Sequence, residues 1–294
     1  MAEEFRQFES SFLKKLQRLK IRTRRNFLGS RQGSHITNRR GQGLEFSEYK
    51  PYTPGDDFRH IDWGIYARND KLYIKQFRSE EDLNVLLLLD NSSSMLHPFA
   101  ADKFKILKQV SLAIGYITLA NSDSLQIFSL AEQNLKSFAG AQNINQLYNY
   151  LQSIDVGKKL DLENAMISAI TRNKYHGKCF VISDFFYPEE ELFSSLDLLR
   201  SKNYEVSLLQ ILSSDELKPD FKNISKIIDV ETDEELEVFF NESILADYIK
   251  ILNRHLDAIK YYAERTGSSY LLINTKEQIN EVILQKFFQA GILR

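Results

Sequence analysis

The sequence predicts an α/β protein: a doubly wound, mostly parallel sheet, with an N-terminal helix and a small β-rich region ahead of it. Three observations predict this. Short unbroken apolar runs, such as Val85-Leu86-Leu87-Leu88-Leu89 and Cys179-Phe180-Val181-Ile182, have the length of strands buried on both faces. From residue 84 onward such runs alternate with segments of three- and four-residue apolar period, the pattern of βα units. The 294 residues are 43% hydrophobic and 27% charged, which supplies a real core and does not suit a disordered chain.

Residues 3–28 read as an amphipathic helix. Phe5, Phe8, Phe12, Leu16 and Leu19 share one face, and Arg6, Lys14, Lys15, Arg18, Arg22 and Arg25 share the other. Residues 29–80 are rich in Gly, Arg, Tyr and turn formers. There Gly41–Phe46 and Lys71–Phe77 alternate as strands, and Tyr52-Thr53-Pro54-Gly55-Asp56-Asp57 reads as a turn. Around Trp63, the only tryptophan, stand Asp56, Asp57, Arg59, Asp62 and Arg68. An Arg–carboxylate network with Trp63 as hydrophobic anchor is favoured over a His60–Asp62 acid–base pair, because no serine or cysteine nucleophile lies beside His60.

Strand 84–89 leads into a helix over 100–121, with Phe104, Leu107, Val110, Ile114, Ile117 and Leu119 facing in. Residues 124–130 form a strand, and Leu135–Phe138 its hairpin partner. Helices follow over 143–153 and 161–171, then a strand at 178–182 and a helix over 189–201. The remaining elements are a strand at 205–212, a short one within 225–230, a helix over 243–266, a strand at 269–273 and a last helix over 276–289. The expected divisions are 1–30, 31–82 and 83–294.

Net charge is −2, so no global field selects a polyanionic partner. The first 80 residues hold 17 Lys and Arg against 10 Asp and Glu, and the rest hold 21 against 30. Cys179 is the single cysteine, so no intrachain disulfide forms, and its apolar run makes it a small buried hydrophobe. No run reaches the roughly 20 apolar residues of a membrane span, and no signal peptide opens the chain. A cytoplasmic location is expected.

Two central-type strands end in acid, at Asp90 and Asp184. The carboxyl ends of parallel strands lie along one edge, where open α/β sheets bind ligands. Two carboxylates that close repel unless protonated or bridged by a cation. Ser92 and Ser94 add hydroxyl oxygens, and hard oxygen donors of this kind suit Mg²⁺ or Mn²⁺. The competing structural role is that Asp90 accepts backbone N–H groups while Ser92 and Ser94 cap the next helix.

Asp90-x-Ser92-x-Ser94 resembles the metal-ion-dependent adhesion site of von Willebrand factor A domains, and Asp184 is similar to that family's later aspartate. The segment Lys158-Lys159-Leu160-Asp161-Leu162-Glu163-Asn164-Ala165 is similar to the usual Gly-Gly-Thr-Asp-Leu-x-x-Ala, with Leu160 in the threonine position. Leu160 has no oxygen to offer, which leaves Asp161 or a water to substitute.

A second resemblance covers nearly the whole chain. It is carried by Gly41-x-Gly43-x-Glu45-Phe46, by Tyr52-x-Pro54-Gly55-Asp56-Asp57-x-Arg59-x-Ile61-Asp62-Trp63, and by Ala67-Arg68 ahead of the Asp-x-Ser-x-Ser strand. It is completed by the close Gln289-Ala290-Gly291-Ile292-Leu293-Arg294, with Ala290 where Arg is usual. These residues resemble the bacterial domain-of-unknown-function family 58. The resemblance implies a von Willebrand factor A-like core and a non-enzymatic adaptor that works with AAA+ ATPases of the MoxR type. It makes Glu45, Tyr52, Gly55, Asp56, Asp57, Arg59, Asp62, Trp63 and Arg68 the signature surface.

Two alternatives stand beside it. A metal-dependent phosphoester hydrolase would use the same aspartates. However, position 92 is Ser where an aspartyl-phosphate enzyme needs Asp, and the chain has no phosphate-binding Gly-x-x-x-x-Gly-Lys-[Ser/Thr] loop. Nucleic-acid binding would use Arg18, Lys20, Arg22, Arg24, Arg25, Arg31, Arg39 and Arg40, yet stacking aromatics are not interleaved with them, and no nucleic acid is expected.

Overall fold

The computed structural model describes residues 10–24, 32–41, 45–81, 83–95, 101–157, 160–173, 175–219, 227–228, 235–236 and 242–294. The chain forms two units, Met1–Arg24 with Asn84–Arg294, and Arg25–Leu83.

The first helix, α1 (Ser10–Leu16), buries Phe12 and Leu16. The helix expected over 3–28 stops there, and Phe5, Phe8, Arg6 and Arg25 lie outside the described residues. Beyond Leu16 the backbone tightens into turns, with Arg18 N donating to Lys15 O and Leu19 N to Leu16 O. Ile21 then makes an antiparallel bridge with Leu293. Lys20 N donates to Arg294 O, Arg294 N to Lys20 O, and Arg22 N to Ile292 O. Asn121 Nδ2 donates to the Leu19 carbonyl at 2.8 Å. A helical continuation would have had only its basic face and one leucine to offer. Pairing with the C-terminal segment instead buries Ile21 and satisfies the backbone.

In the second unit β1 (Gln32–Gly41), β2 (Glu45–Pro51) and β3 (Tyr73–Glu81) form an antiparallel sheet in the order β1-β3-β2. Between β2 and β3 in sequence lie a 3-10 turn, Phe58–His60, and a short helix, α2 (Trp63–Asn69). Of the strand expected at 41–46, Gly41 ends β1, Glu45 and Phe46 open β2, and residues 42–44 lie outside the described residues; the strand expected at 71–77 is β3, which starts at Tyr73 and runs on to Glu81. The sequence did not announce β1, whose Gly, Asn and Arg content carries little β preference.

The first unit holds a six-stranded sheet. In chain order come β4 (Asn84–Leu89), α3 (Ala101–Ala120), β5 (Ser124–Ser129), β6 (Asn134–Ala139), α4 (Ile144–Ser153) and α5 (Leu162–Arg172). Then come β7 (Lys178–Ser183), α6 (Glu189–Ser201), β8 (Glu205–Leu212), α7 (Ser214–Leu217), the two-residue strands β9 (Ile227–Ile228) and β10 (Glu235–Leu236), α8 (Glu242–Thr266) and β11 (Ser269–Asn274). A terminal helix runs through Ile279–Glu281, a π-helical turn Val282–Lys286 and Phe287–Gln289.

The sheet order is β11-β8-β7-β4-β5-β6, parallel throughout except that β6 pairs antiparallel with β5. This is the expected α/β class, with a mostly parallel central sheet and flanking helices. Every residue of β4, β7 and β8 is buried, as the apolar runs of β4 and β7 predict; β8 buries Glu205, Ser207 and Gln210 among its apolar residues. Strands after β4 are laid down first on one side of it (β5, β6) and then on the other (β7, β8, β11). The order therefore reverses between β4 and β7, and a crevice at their carboxyl ends is the topological consequence.

Candidate functional site at the carboxyl edge of the sheet

Asp90 leaves the carboxyl end of β4 at this reversal point, fixed by its backbone N–H donating to Ile182 O at 3.0 Å. Its carboxylate is fully buried and held by four donors. Ser92 N and Ser92 Oγ donate to Oδ1 at 3.0 and 2.6 Å. Ser183 Oγ and the Tyr187 hydroxyl donate to Oδ2 at 2.5 and 2.7 Å. Ser92 Oγ and Ser94 Oγ share a hydrogen bond at 3.0 Å. The loop is braced by Asn91, whose Nδ2 donates to Asp155 O at 2.9 Å and whose Oδ1 accepts from Ala131 N at 2.9 Å.

Asp184 leaves β7 beside it. Its Oδ1 accepts from Phe186 N at 3.2 Å and its Oδ2 from Lys103 Nζ at 2.9 Å. The Lys103 ammonium also donates to Glu216 Oε1 at 2.6 Å. Gln210 of β8 donates to the Asp184 carbonyl at 2.7 Å and accepts from the Tyr270 hydroxyl at 2.7 Å. The edge is thus built from the ends of β4, β7 and β8, from the start of α3 and from α7.

The loop between β7 and α6 turns sharply at Phe185, whose φ of 58° is a left-handed conformation that costs a non-glycine residue about 1–2 kcal/mol. The turn sends the Phe185 ring into the core, leaves Phe186 43% exposed, and brings Tyr187 back onto Asp90. His255 Nε2 hydrogen-bonds the Phe185 carbonyl at 2.9 Å and holds the turn. Backbone strain of this kind gathers where a loop must present particular side chains.

The electrostatics follow from burial. Burial, and then the charge of Asp184, push the Asp90 carboxyl up, against hydrogen bonds from Ser183, Ser92 and Tyr187 that pull it down. Burial and the charge of Asp90 push the Tyr187 phenol up, so it stays a donor. Burial pulls the Lys103 ammonium down, but the charges of Asp184 and Glu216 outweigh it and hold the group above its ordinary value. Cys179 is buried in β7, and burial pushes its thiol up, which removes it from nucleophilic chemistry.

The structure brings Asp90, Ser92, Ser94 and Asp184 to one edge. Leu160, at the threonine position, is 8% exposed and packs in the core with Leu86 and Leu88. Asp161 caps α5, accepting from Asn164 N at 3.0 Å and Nδ2 at 2.8 Å, and so does not substitute for a hydroxyl at the edge. A divalent cation needs oxygen lone pairs turned towards one point. Here each oxygen of both carboxylates faces a protein donor, and an ammonium already sits on Asp184. In this arrangement the donor set does not fit Mg²⁺ or Mn²⁺. Sequence reasoning missed Ser183, Tyr187, Glu216 and Lys103. Only Lys103 left a trace: it precedes Leu107 by four residues and so lies on the apolar face of α3.

The signature residues lie in the second unit. Tyr52 N donates to Leu72 O, and Gly55 has a φ of 104°, which only glycine adopts freely. Asp56 accepts from Lys50 Nζ at 2.7 Å and from Thr53 Oγ1 at 2.6 Å. Asp57 pairs with Arg59 at 2.7 Å. Asp62 caps α2 through Gly64 N and Ile65 N, pairs with Lys75 at 3.0 Å and accepts from the Tyr49 hydroxyl at 3.0 Å. Arg68 Nε donates to the Gly64 carbonyl rather than completing a carboxylate network, and Glu45 begins β2. Trp63 is 62% exposed, not the hydrophobic anchor expected, and stands edge-on to Tyr66 with centroids 6.0 Å apart. Pairing of Asp56 to Lys50, Asp57 to Arg59 and Asp62 to Lys75 fixes the backbone through polar contacts, which frees the indole from a packing role.

A pH test follows. Lys75 and Tyr49 hold the Asp62 carboxyl down to about 2, and Arg59 holds Asp57 down to about 2. A carboxyl depressed below its unfolded value of about 3.9 contributes stability above that pH and loses it as pH falls through about 2. Trp63 fluorescence of the full chain is expected to change across this window. Asp62→Asn is expected to flatten the acid dependence, and an unchanged profile would remove Asp62 as the clasp.

A protein-family model described as "Protein of unknown function DUF58" matches residues 48–257, well over half of the chain. The chain belongs to the DUF58 family. This DUF58 chain is 24% identical over 180 residues to the uncharacterized protein Rv1480 of Mycobacterium tuberculosis (strain ATCC 25618 / H37Rv), a match that covers 59% of the chain and 57% of that protein. The chain therefore spans just over half the length of the curated relatives it matches first. Among solved structures it is similar to the conserved hypothetical protein BatB from Bacteroides thetaiotaomicron, at 14% identity and a TM-score of 0.41, covering 71% of this chain and 98% of that one. It is also similar to the SpRpn10 VWA domain, at 9% identity and a TM-score of 0.35, covering 68% and 93%. Among the described residues of this DUF58 protein, no helix is long and apolar enough to cross a membrane.

Proposed function

We propose that the chain is a non-enzymatic protein-interaction module, an adaptor for an AAA+ ATPase of the MoxR type acting in the cytoplasm, and that the carboxyl edge of its sheet is the contact surface. The observation that supports this is the closed state of the acidic edge. Both carboxylates are buried and each of their oxygens accepts from a protein donor, so they brace the edge from within. Beside them the exposed Phe186 ring lies near Lys103 and His255, with ring centroid distances of 5.6 Å to the ammonium and 5.9 Å to the imidazole. An exposed aromatic held over a rigid polar base is the form an interface anchor takes.

The test is direct binding between the purified chain and the MoxR-type ATPase of the same cell, with and without nucleotide. Phe186→Glu is expected to weaken the complex by at least about tenfold, the scale of a central aromatic anchor, with the circular dichroism spectrum unchanged. Equal binding by wild type and variant would move the contact elsewhere, and no binding by the wild type would end the proposal.

A further inference from the structure

The least expected group at the edge is an ammonium. Lys103 is 1% exposed, although lysine is seldom fully buried without a partner. It stands in the first turn of α3, and its Nζ lies 2.9 Å from Asp184 Oδ2 and 2.6 Å from Glu216 Oε1. Glu216 is itself fixed. It belongs to a capping box in which Ser213 N donates to Glu216 Oε2 at 2.6 Å and Glu216 N donates to Ser213 Oγ at 3.0 Å. One oxygen of Glu216 thus closes the start of α7 while the other receives the lysine. The charge opposite Asp184 is placed by two helices and a capped turn, and not by a mobile side chain in solvent.

We infer that Lys103 is the resident cation of this edge: its ammonium takes the charge-balancing place on Asp184 that a divalent ion would fill, and the edge is complete without metal. Two departures point the same way. A hydroxyl position has become Leu160, which is built into the core. A cation position is held by a side chain of the chain itself. Each change alone would leave a damaged metal site, whereas together they make a closed one, with every carboxylate oxygen satisfied internally. A partner that reads this edge meets the exposed Phe186 ring and the half-buried Ser94 and Tyr187, set over buried acids whose charge is balanced from within, and needs no metal to bridge to it. The inference concerns the charge inside the edge and holds whether or not the ATPase binds there.

The test is titration of the full chain with Mn²⁺, with free ion read by electron paramagnetic resonance, for wild type, Asp184→Ala, Lys103→Ala and Lys103→Ala/Asp184→Ala. Wild type is expected to show no saturable binding tighter than about 1 mM, and the same melting temperature in EDTA as in Mg²⁺. Lys103→Ala leaves the acids without their cation and is expected to bind Mn²⁺ at least about tenfold more tightly than wild type, with the gain lost in the double variant. If Lys103→Ala is recovered unfolded, refolding on addition of Mn²⁺ but not of monovalent salt is the expected result. Saturable wild-type binding abolished by Asp184→Ala would overturn the inference. So would a folded Lys103→Ala that binds no more tightly than wild type, or an unfolded one that Mn²⁺ does not rescue.

Discussion

Glu205→Gln is expected to destabilise the first unit by about 3–5 kcal/mol, the cost of leaving a buried charge without its partner. Lys178, in the first position of β7, is 1% exposed, and its Nζ lies 2.8 Å from Glu205 Oε1 in the neighbouring strand. The second oxygen of Glu205 accepts from Arg24 N at 2.7 Å, so one carboxylate ties together β7, β8 and the segment after α1. Burial pulls the Lys178 ammonium down, and the charge of Glu205 offsets part of that shift. Without the carboxylate, the largest offset is lost. A buried ion pair still contributes little net stability beyond what apolar packing would give. Lys178→Met/Glu205→Leu is therefore expected within about 1 kcal/mol of wild type, or above it. Urea unfolding followed by circular dichroism distinguishes the two. A single-substitution cost under about 1 kcal/mol would show that water reaches the pair.

Gly177→Ala is expected to cost about 3 kcal/mol, at the upper end of overpacking substitutions. A Cβ at this position would stand 2.0 Å from the carbonyl oxygen of Asn84 at the start of β4. The chain cannot shift away, because the Gly177 carbonyl accepts from Glu205 N at 2.9 Å on its other side. Glycine is required where two backbones approach this closely. Gly115→Ala makes the control. Its Cβ would meet the Leu147 and Leu125 methyls at 2.6 and 3.0 Å, and these side-chain ends can turn aside. Its cost is expected near about 1 kcal/mol. Comparable losses from the two would mean that the sheet yields at Gly177 as readily as a rotamer does.

These two sites also mark what a sequence discloses. The sheet was legible because strands buried on both faces are mostly apolar, so residues 85–89 in β4 and 179–182 in β7 stand out as runs. The edge was legible because Asp90 and Asp184 each end such a run. The hairpin of β5 and β6 came from simple alternation. What went unread depends on distant partners. The apolar period of the N-terminal helix runs through Leu16 to Leu19, but Ile21 finds Leu293 and the helix ends at Leu16. Tyr187 reaches Asp90 only because Phe185 adopts a left-handed turn, a conformation that phenylalanine does not advertise. Trp63 looks like a core residue by type, yet polar clasps hold its neighbourhood and leave it at the surface. Lys103 could have been noticed as a charge on an apolar helix face, but its partners Asp184 and Glu216 are distant in sequence.

The bridge between Ile21 and Leu293 has a consequence for the order in which the molecule is made. Ile21 finds its bridge partner only at Leu293, so this pairing cannot form until Leu293 has been synthesised. Until then Ile21 lacks its partner strand, although Gln17 and Leu19 can already meet Tyr116 and Asn121 of the α3 region. The separation is long, and the closure entropy of so long a loop is met before its contacts are gained. Closing of the bridge between Ile21 and Leu293 is therefore a late event in folding, coupled to synthesis of the segment that carries Leu293.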